Sequence, residues 1–147
     1  MSESYTLQAL PSKKYRELIG TAICVFNSNN SFVIENILRT DQTGEYDWHQ
    51  LIDKTSGDLA PAIKKTITAS SNTTISKLFG DIIAIRNRIA HSFQITAPAG
   101  MTDKPDNQIL ATKYKNGRQE IITEEYLLNF INLNQELSTK LHQFRGS

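Results

Sequence analysis

Between Ile75 and Ile89 the chain carries apolar residues at a spacing that only a helix gathers onto one side. With Ile82 at zero on a wheel of about 100° per residue, Ile75, Leu78, Phe79, Ile85 and Ile89 fall within roughly 60° of it. That is one core-facing stripe, and it demands other elements to cover it. Arg86 comes out at about 40°, inside the stripe. Asn87 and His91 come out at about 140° and 180°, four residues apart on a neighbouring face. A guanidinium cannot lose its proton and is seldom fully buried unless paired. Arg86 therefore requires a carboxylate, a phosphate or a cleft that water can enter.

Most of the remaining chain has the same helical period. Ser12 is placed to cap a first helix with the stripe Tyr15, Leu18, Ile19, Ala22, Val25 and Phe26. The polar run Asn27-Ser28-Asn29-Asn30-Ser31 is expected to interrupt it. A shorter helix then carries Phe32, Val33, Ile34, Ile37 and Leu38. Residues 41–45, with Gly44, read as a turn. Asp47 is placed to cap a short helix bearing Trp48, Leu51 and Ile52. Ser56-Gly57-Asp58 breaks the pattern again, with Asp58 expected as the next cap and Pro61 tolerated in the first turn. Leu59, Ile63 and Ile67 form a thin stripe, and residues 70–73 separate it from the helix that ends at His91.

One segment departs from this period. Pro98, Gly100, Pro105 and Asn107 mark a loop, and two strand-like runs then flank Asn116-Gly117. An Asn-Gly in that setting predicts a β-hairpin over residues 108–122, because both turn residues accept positive φ. A two-residue turn would pair Lys115 with Arg118 and Tyr114 with Gln119, and would gather Lys113, Lys115 and Arg118 at the tip. Thr123 is placed to cap a final helix with the stripe Leu127, Phe130, Ile131, Leu137, Leu141 and Phe144. Glu124 and Glu125 suit its positive end. The expectation is a mainly α fold: a bundle of about five helices with one hairpin inserted before the last. Residues 1–147 are expected to form a single domain.

Composition narrows the function classes. Of 147 residues, 39% are hydrophobic and 21% charged, as in an ordinary soluble protein. The net charge is +1, so any contact with nucleic acid must come from a local patch. Cys24 is the only cysteine; it excludes an intrachain disulfide and argues for a reducing, cytoplasmic location. Among Ala22, Ile23, Val25 and Phe26 it reads as a small core residue. No window approaches the ~18 apolar residues of a membrane span, and residues 1–10 do not read as a signal peptide. No His, Cys, Asp or Glu pair has metal-ligand spacing, and no phosphate-binding glycine motif occurs, so no metal or cofactor is expected. His49 and His142 read as surface residues.

Arg86-Asn87-Arg88-Ile89-Ala90-His91 resembles the signature of the HEPN domain: an Arg, a polar residue, and a His after four to six intervening residues. The likeness is sharp over residues 80–93 and loose elsewhere. It implies a compact helical bundle, and often a metal-independent ribonuclease acting as a homodimer in toxin–antitoxin or antiphage systems. It also implies an alternative, a catalytically inactive module that binds a nucleotide or a partner protein. HEPN toxins paired with nucleotidyltransferase antitoxins commonly carry a modified Tyr two residues after the His. Here that position is Phe93, which argues against the same control.

The chemistry of the motif can be argued on its own. RNA supplies its nucleophile, the 2′-OH. Cleavage needs that hydroxyl deprotonated, the phosphate charge stabilised and the leaving 5′-oxygen protonated. His91 can serve as base or acid near neutral pH. Arg86 offers a planar fork of donors to the phosphate. Asn87 can orient the imidazole or donate to the phosphate. One His per chain calls for a symmetric dimer to supply both base and acid. Arg86, Asn87 and His91 are thus the candidate catalytic residues. Arg88, Lys113, Lys115 and Arg118 are the candidate RNA contacts, and an antitoxin or other regulatory protein is a possible partner. Blander roles exist for the same residues. Arg86 can be salt-bridged to Glu17, Glu35 or a final-helix Glu, and His91 can be a cation at a helix C-terminus. A third reading is a helical bundle that serves only protein interaction.

Overall fold

The computed structural model describes residues 3–101 and 107–146. Helix α1 spans Lys13–Thr40, α2 Trp48–Ile52, α3 Ala60–Ile63, α4 Thr74–Ala90 and α5 Glu124–Gly146. A 3-10 turn at Ser56–Leu59 leads into α3, which continues through a π-helical segment at Lys64–Thr68. Strands β1 (Phe93–Thr96), β2 (Gln108–Lys113) and β3 (Gln119–Ile122) form an antiparallel sheet in the order β1-β2-β3. The mainly helical class holds, with the expected hairpin before the last helix. Pro105 lies outside the described residues.

Helices α1 and α5 run side by side in the same direction. Lys14 meets Glu124 near their starts, Asn29 meets Asn134 midway, and Glu35 meets Arg145 near their ends. Phe26 sits where α1 meets α4 and α5, stacked with Phe79 at 6.2 Å and Phe130 at 6.4 Å between ring centroids. Ile34, Ile37, Ile82, Leu127 and Leu137 extend this core, all fully buried.

Three expected caps form: Ser12 Oγ accepts from the Tyr15 N–H, Asp47 Oδ1 from Gln50 and Thr123 Oγ1 from Tyr126. Asp58 is not a cap. Thr55 precedes it and accepts from the Asp58 N–H, so the turn begins three residues earlier than the sequence predicts.

The polar run in α1 does not interrupt the helix. Asn29 Nδ2 donates to the Asn134 backbone oxygen (2.8 Å) and to Asn134 Oδ1 (3.0 Å). Asn30 Oδ1 accepts from Ser56 Oγ at 2.6 Å. These two side chains, which would otherwise compete for the backbone, are occupied by partners on other elements, and α1 continues through the run. The phase of that long helix also corrects Cys24. Ala22 and Phe26 face the core, and a residue midway between them points about 200° away. Cys24 is accordingly exposed.

The hairpin forms with a different turn. Lys113 pairs with Gln119 and Leu110 with Ile122. The Tyr114 N–H donates to the Arg118 carbonyl at 2.8 Å, and the Gly117 N–H to the Tyr114 carbonyl at 2.9 Å. The loop is therefore Lys115-Asn116-Gly117, and only Gly117 takes positive φ, at 90°. Asn116 instead makes a local bond, its Oδ1 accepting from the Arg118 N–H. That local bond favours a type I turn with a glycine bulge over the two-residue turn. Tyr114 consequently lies opposite Arg118, one position from the predicted register.

Strand β1 is an addition to the sequence reading. It pairs Phe93 with Ala111 and Ile95 with Ile109, directly after His91. The Tyr15 hydroxyl ties the sheet to α1, donating to the Ile122 carbonyl (2.5 Å) and accepting from the Leu110 N–H (3.0 Å). It thus bridges two ladder partners, and its burial pushes its pKa up.

Candidate functional site

The apolar stripe of α4 forms as predicted. Ile75, Phe79, Ile82 and Ile89 are buried, and Leu78 and Ile85 are partly so. Arg86 shares that side of the helix. Its guanidinium carbon lies 5.0 Å from the centre of the Phe26 ring, and its Nε is buried without a hydrogen-bond partner. Neither of two acids suggested for it does the job: Glu35 lies 3.9 Å from Arg145, and Glu124 lies 3.4 Å from Lys14. Among the described residues no carboxylate forms an ion pair with Arg86.

Arg86 opens instead into a cleft of about 310 Å³ between α1, α4, β2 and α5. Its walls are Ile19, Ala22, Ile23, Phe26 and Asn27 of α1, Ile89 and Ala90 of α4, Leu110 of β2 and Phe130 of α5. Of the partners that the sequence allowed for Arg86, a carboxylate is not found among the described residues, and the side chain lines a cleft.

Asn87 and His91 do not line this cleft. The wheel explains it: both stand at least about 100° round the helix from Arg86. The Asn87 carbonyl accepts from the His91 N–H at 3.0 Å, closing the last turn of α4. His91 is the C-cap, with its side chain exposed at the point where the helix passes into β1. Arg86 and His91 therefore share a helix end but not, within one chain, a common cavity.

The four candidate RNA contacts divide into two pairs. Arg88 donates from Nη1 to the Lys113 carbonyl at 3.2 Å and lies 5.2 Å from the Tyr114 ring. Arg118 lies 4.1 Å from the same ring. Two guanidiniums thus stack on Tyr114, whose hydroxyl donates to Glu120 Oε1 at 2.6 Å. That bond raises the Tyr114 pKa. Arg88 is a tether between α4 and the hairpin. Lys113 and Lys115 are exposed. His49 and His142 are exposed, as expected, although His142 rests 4.6 Å from the Phe32 ring.

Sequence reasoning missed Tyr114 and Leu110 as parts of this region. Tyr114 stands between Lys113 and Lys115, an aromatic among cations, which was a usable signal. Leu110 carries no such mark, because only the folding of β2 against α4 brings it to the cleft.

Among the described residues no three of His, Cys, Asp and Glu gather closely enough to hold a metal ion, and no helix is long and apolar enough to cross a membrane. Comparison of the chain with protein-family models, curated proteins and solved structures finds no match.

Proposed function

We propose that the chain is a metal-independent RNA endonuclease of HEPN type, acting as a homodimer. The observation that carries this reading is Arg86: a permanent cation with a buried, unpartnered Nε, opening into a cleft on the helix that ends at an exposed His91. An anion is what such a group lacks, and a phosphodiester supplies one. His91 takes the proton from the 2′-OH. The hydroxyl oxygen attacks phosphorus, Arg86 steadies the added negative charge, and the 5′-oxygen leaves with a proton from the second protomer's imidazole. The products are a 2′,3′-cyclic phosphate and a 5′-hydroxyl.

His91→Ala and Arg86→Ala are each expected to lower RNA cleavage by about 10²–10⁴-fold. Their circular dichroism and urea midpoints should stay close to those of the parent. Cleavage should persist in EDTA. Activity that disappears with EDTA would overturn the mechanism.

A second reading has its own observation. Asn87 and His91 lie outside the Arg86 cleft, and this favours a catalytically silent HEPN-type module that binds a nucleotide or a protein through Arg86. RNA bound but never cut by the parent protein would decide for it.

A further inference from the structure

The Arg86 cleft is oddly built for a ribose-phosphate chain. Among the described residues, Arg86 and Asn27 alone bring polar side chains to it; the other wall residues are aliphatic or aromatic. Its volume, about 310 Å³, lies at the small end of the roughly 300–1,000 Å³ range of small-molecule pockets. Phe26, Ile89 and Phe130 form buried walls, while Ile23 and Ala90 are exposed at the rim. The aliphatic and aromatic walls favour an apolar body, and the unpartnered guanidinium favours an anionic head.

We propose that this cleft is a binding site for a small amphipathic carboxylate: an aliphatic body in the cleft and a carboxylate on Arg86. The charge complementarity is specific. Guanidinium and carboxylate match as planar groups, and among the described residues no acid lines the site. An apolar body would displace water from Ile23, Ala90 and Leu110 as it enters. This site does not depend on RNA cleavage. If the chain does cut RNA, a carboxylate seated there occupies the guanidinium that the phosphate needs, and acts as an inhibitor.

Octanoate is a suitable probe, with octanamide as its neutral counterpart of equal length. Calorimetry on the full chain, without RNA, should show one octanoate per chain and binding of octanamide at least roughly tenfold weaker, the loss of a charge-assisted bond. Arg86→Gln should lower octanoate affinity by a similar factor. Ala90→Trp, which fills the rim, should abolish binding while Arg86 stays in place. Equal affinity for the acid and the amide would overturn the proposal, as would no octanoate binding at millimolar concentration. The acid–amide comparison uses the parent protein, so it stands even if a variant fails to fold. The heat of binding is read without RNA, so failure here and failure of the ribonuclease reading remain separate results.

Discussion

Asn29 and Asn134 meet in the middle of the bundle, 4% and 1% exposed, so bulk water has little access to replace their bonds. Asn134 Nδ2 in turn donates to the Phe130 carbonyl at 2.9 Å, so its orientation is fixed within its own helix. Removing the Asn29 amide leaves Asn134 Oδ1 buried without its partner, at a cost of about 1–3 kcal/mol, whereas removing the Asn134 amide still leaves Asn29 Nδ2 its bond to the backbone carbonyl of residue 134. Asn29→Leu should show that loss in urea denaturation, and Asn134→Leu a smaller one. The double variant should lose less than the sum of the two, because it leaves no orphan from the pair. Strict additivity would show that the amides do not act as a unit. Tyr126 predicts a pH dependence. Burial, chiefly, then the Tyr114 and Glu120 charges, push its pKa from 10.0 up to about 12, against the opposing charge of Arg88. The folded chain thus keeps a proton that the unfolded chain releases first. The resulting stability is fully present below pH 10 and is lost as the pH rises towards about 12. Urea midpoints should fall across that window, and Tyr126→Phe should make the fall shallower. Tyr15, raised in the same direction, accounts for part of what remains.

At the scale of elements, the hairpin shows how a local signal can be right in kind and wrong in detail. Asn116-Gly117 does mark a turn, but Asn116 bonds to Arg118 rather than taking positive φ, and the register moves by one. The shift seats Arg118 across from Tyr114, where its guanidinium lies 4.1 Å from the ring that Arg88 also approaches. This separates the roles of the cations. If the hairpin holds RNA, Lys113 and Lys115 make the phosphate contacts. The Lys113→Ala, Lys115→Ala variant should then reduce the slope of log affinity against log salt by about one per lysine. Arg88→Ala should chiefly loosen the hairpin, read as faster amide exchange across residues 113–118. An unchanged salt slope in the double lysine variant would return the tip to a structural role.

At the scale of the whole molecule, the ribonuclease reading requires a second chain, since each chain supplies one motif histidine. Light scattering should give about twice 16.6 kDa at micromolar concentration. A monomer that cleaves RNA at that concentration would contradict the composite site. The apolar stripe of α4, the caps at Ser12, Asp47 and Thr123, and the place of the hairpin were all legible, because each is written within a turn or two of chain. So was the requirement that Arg86 be met by something, which follows from its angle on the wheel and its fixed charge. Tertiary structure alone decided the rest. Helix α1 runs unbroken because Asn29 finds a partner 105 residues away. Strand β1 exists because β2 offers an edge to pair with. Arg86 faces a cleft rather than a carboxylate because α1, β2 and α5 bring apolar walls and no acid to it. Local periodicity sets which side of an element faces inward; what meets that side depends on residues distant in the chain.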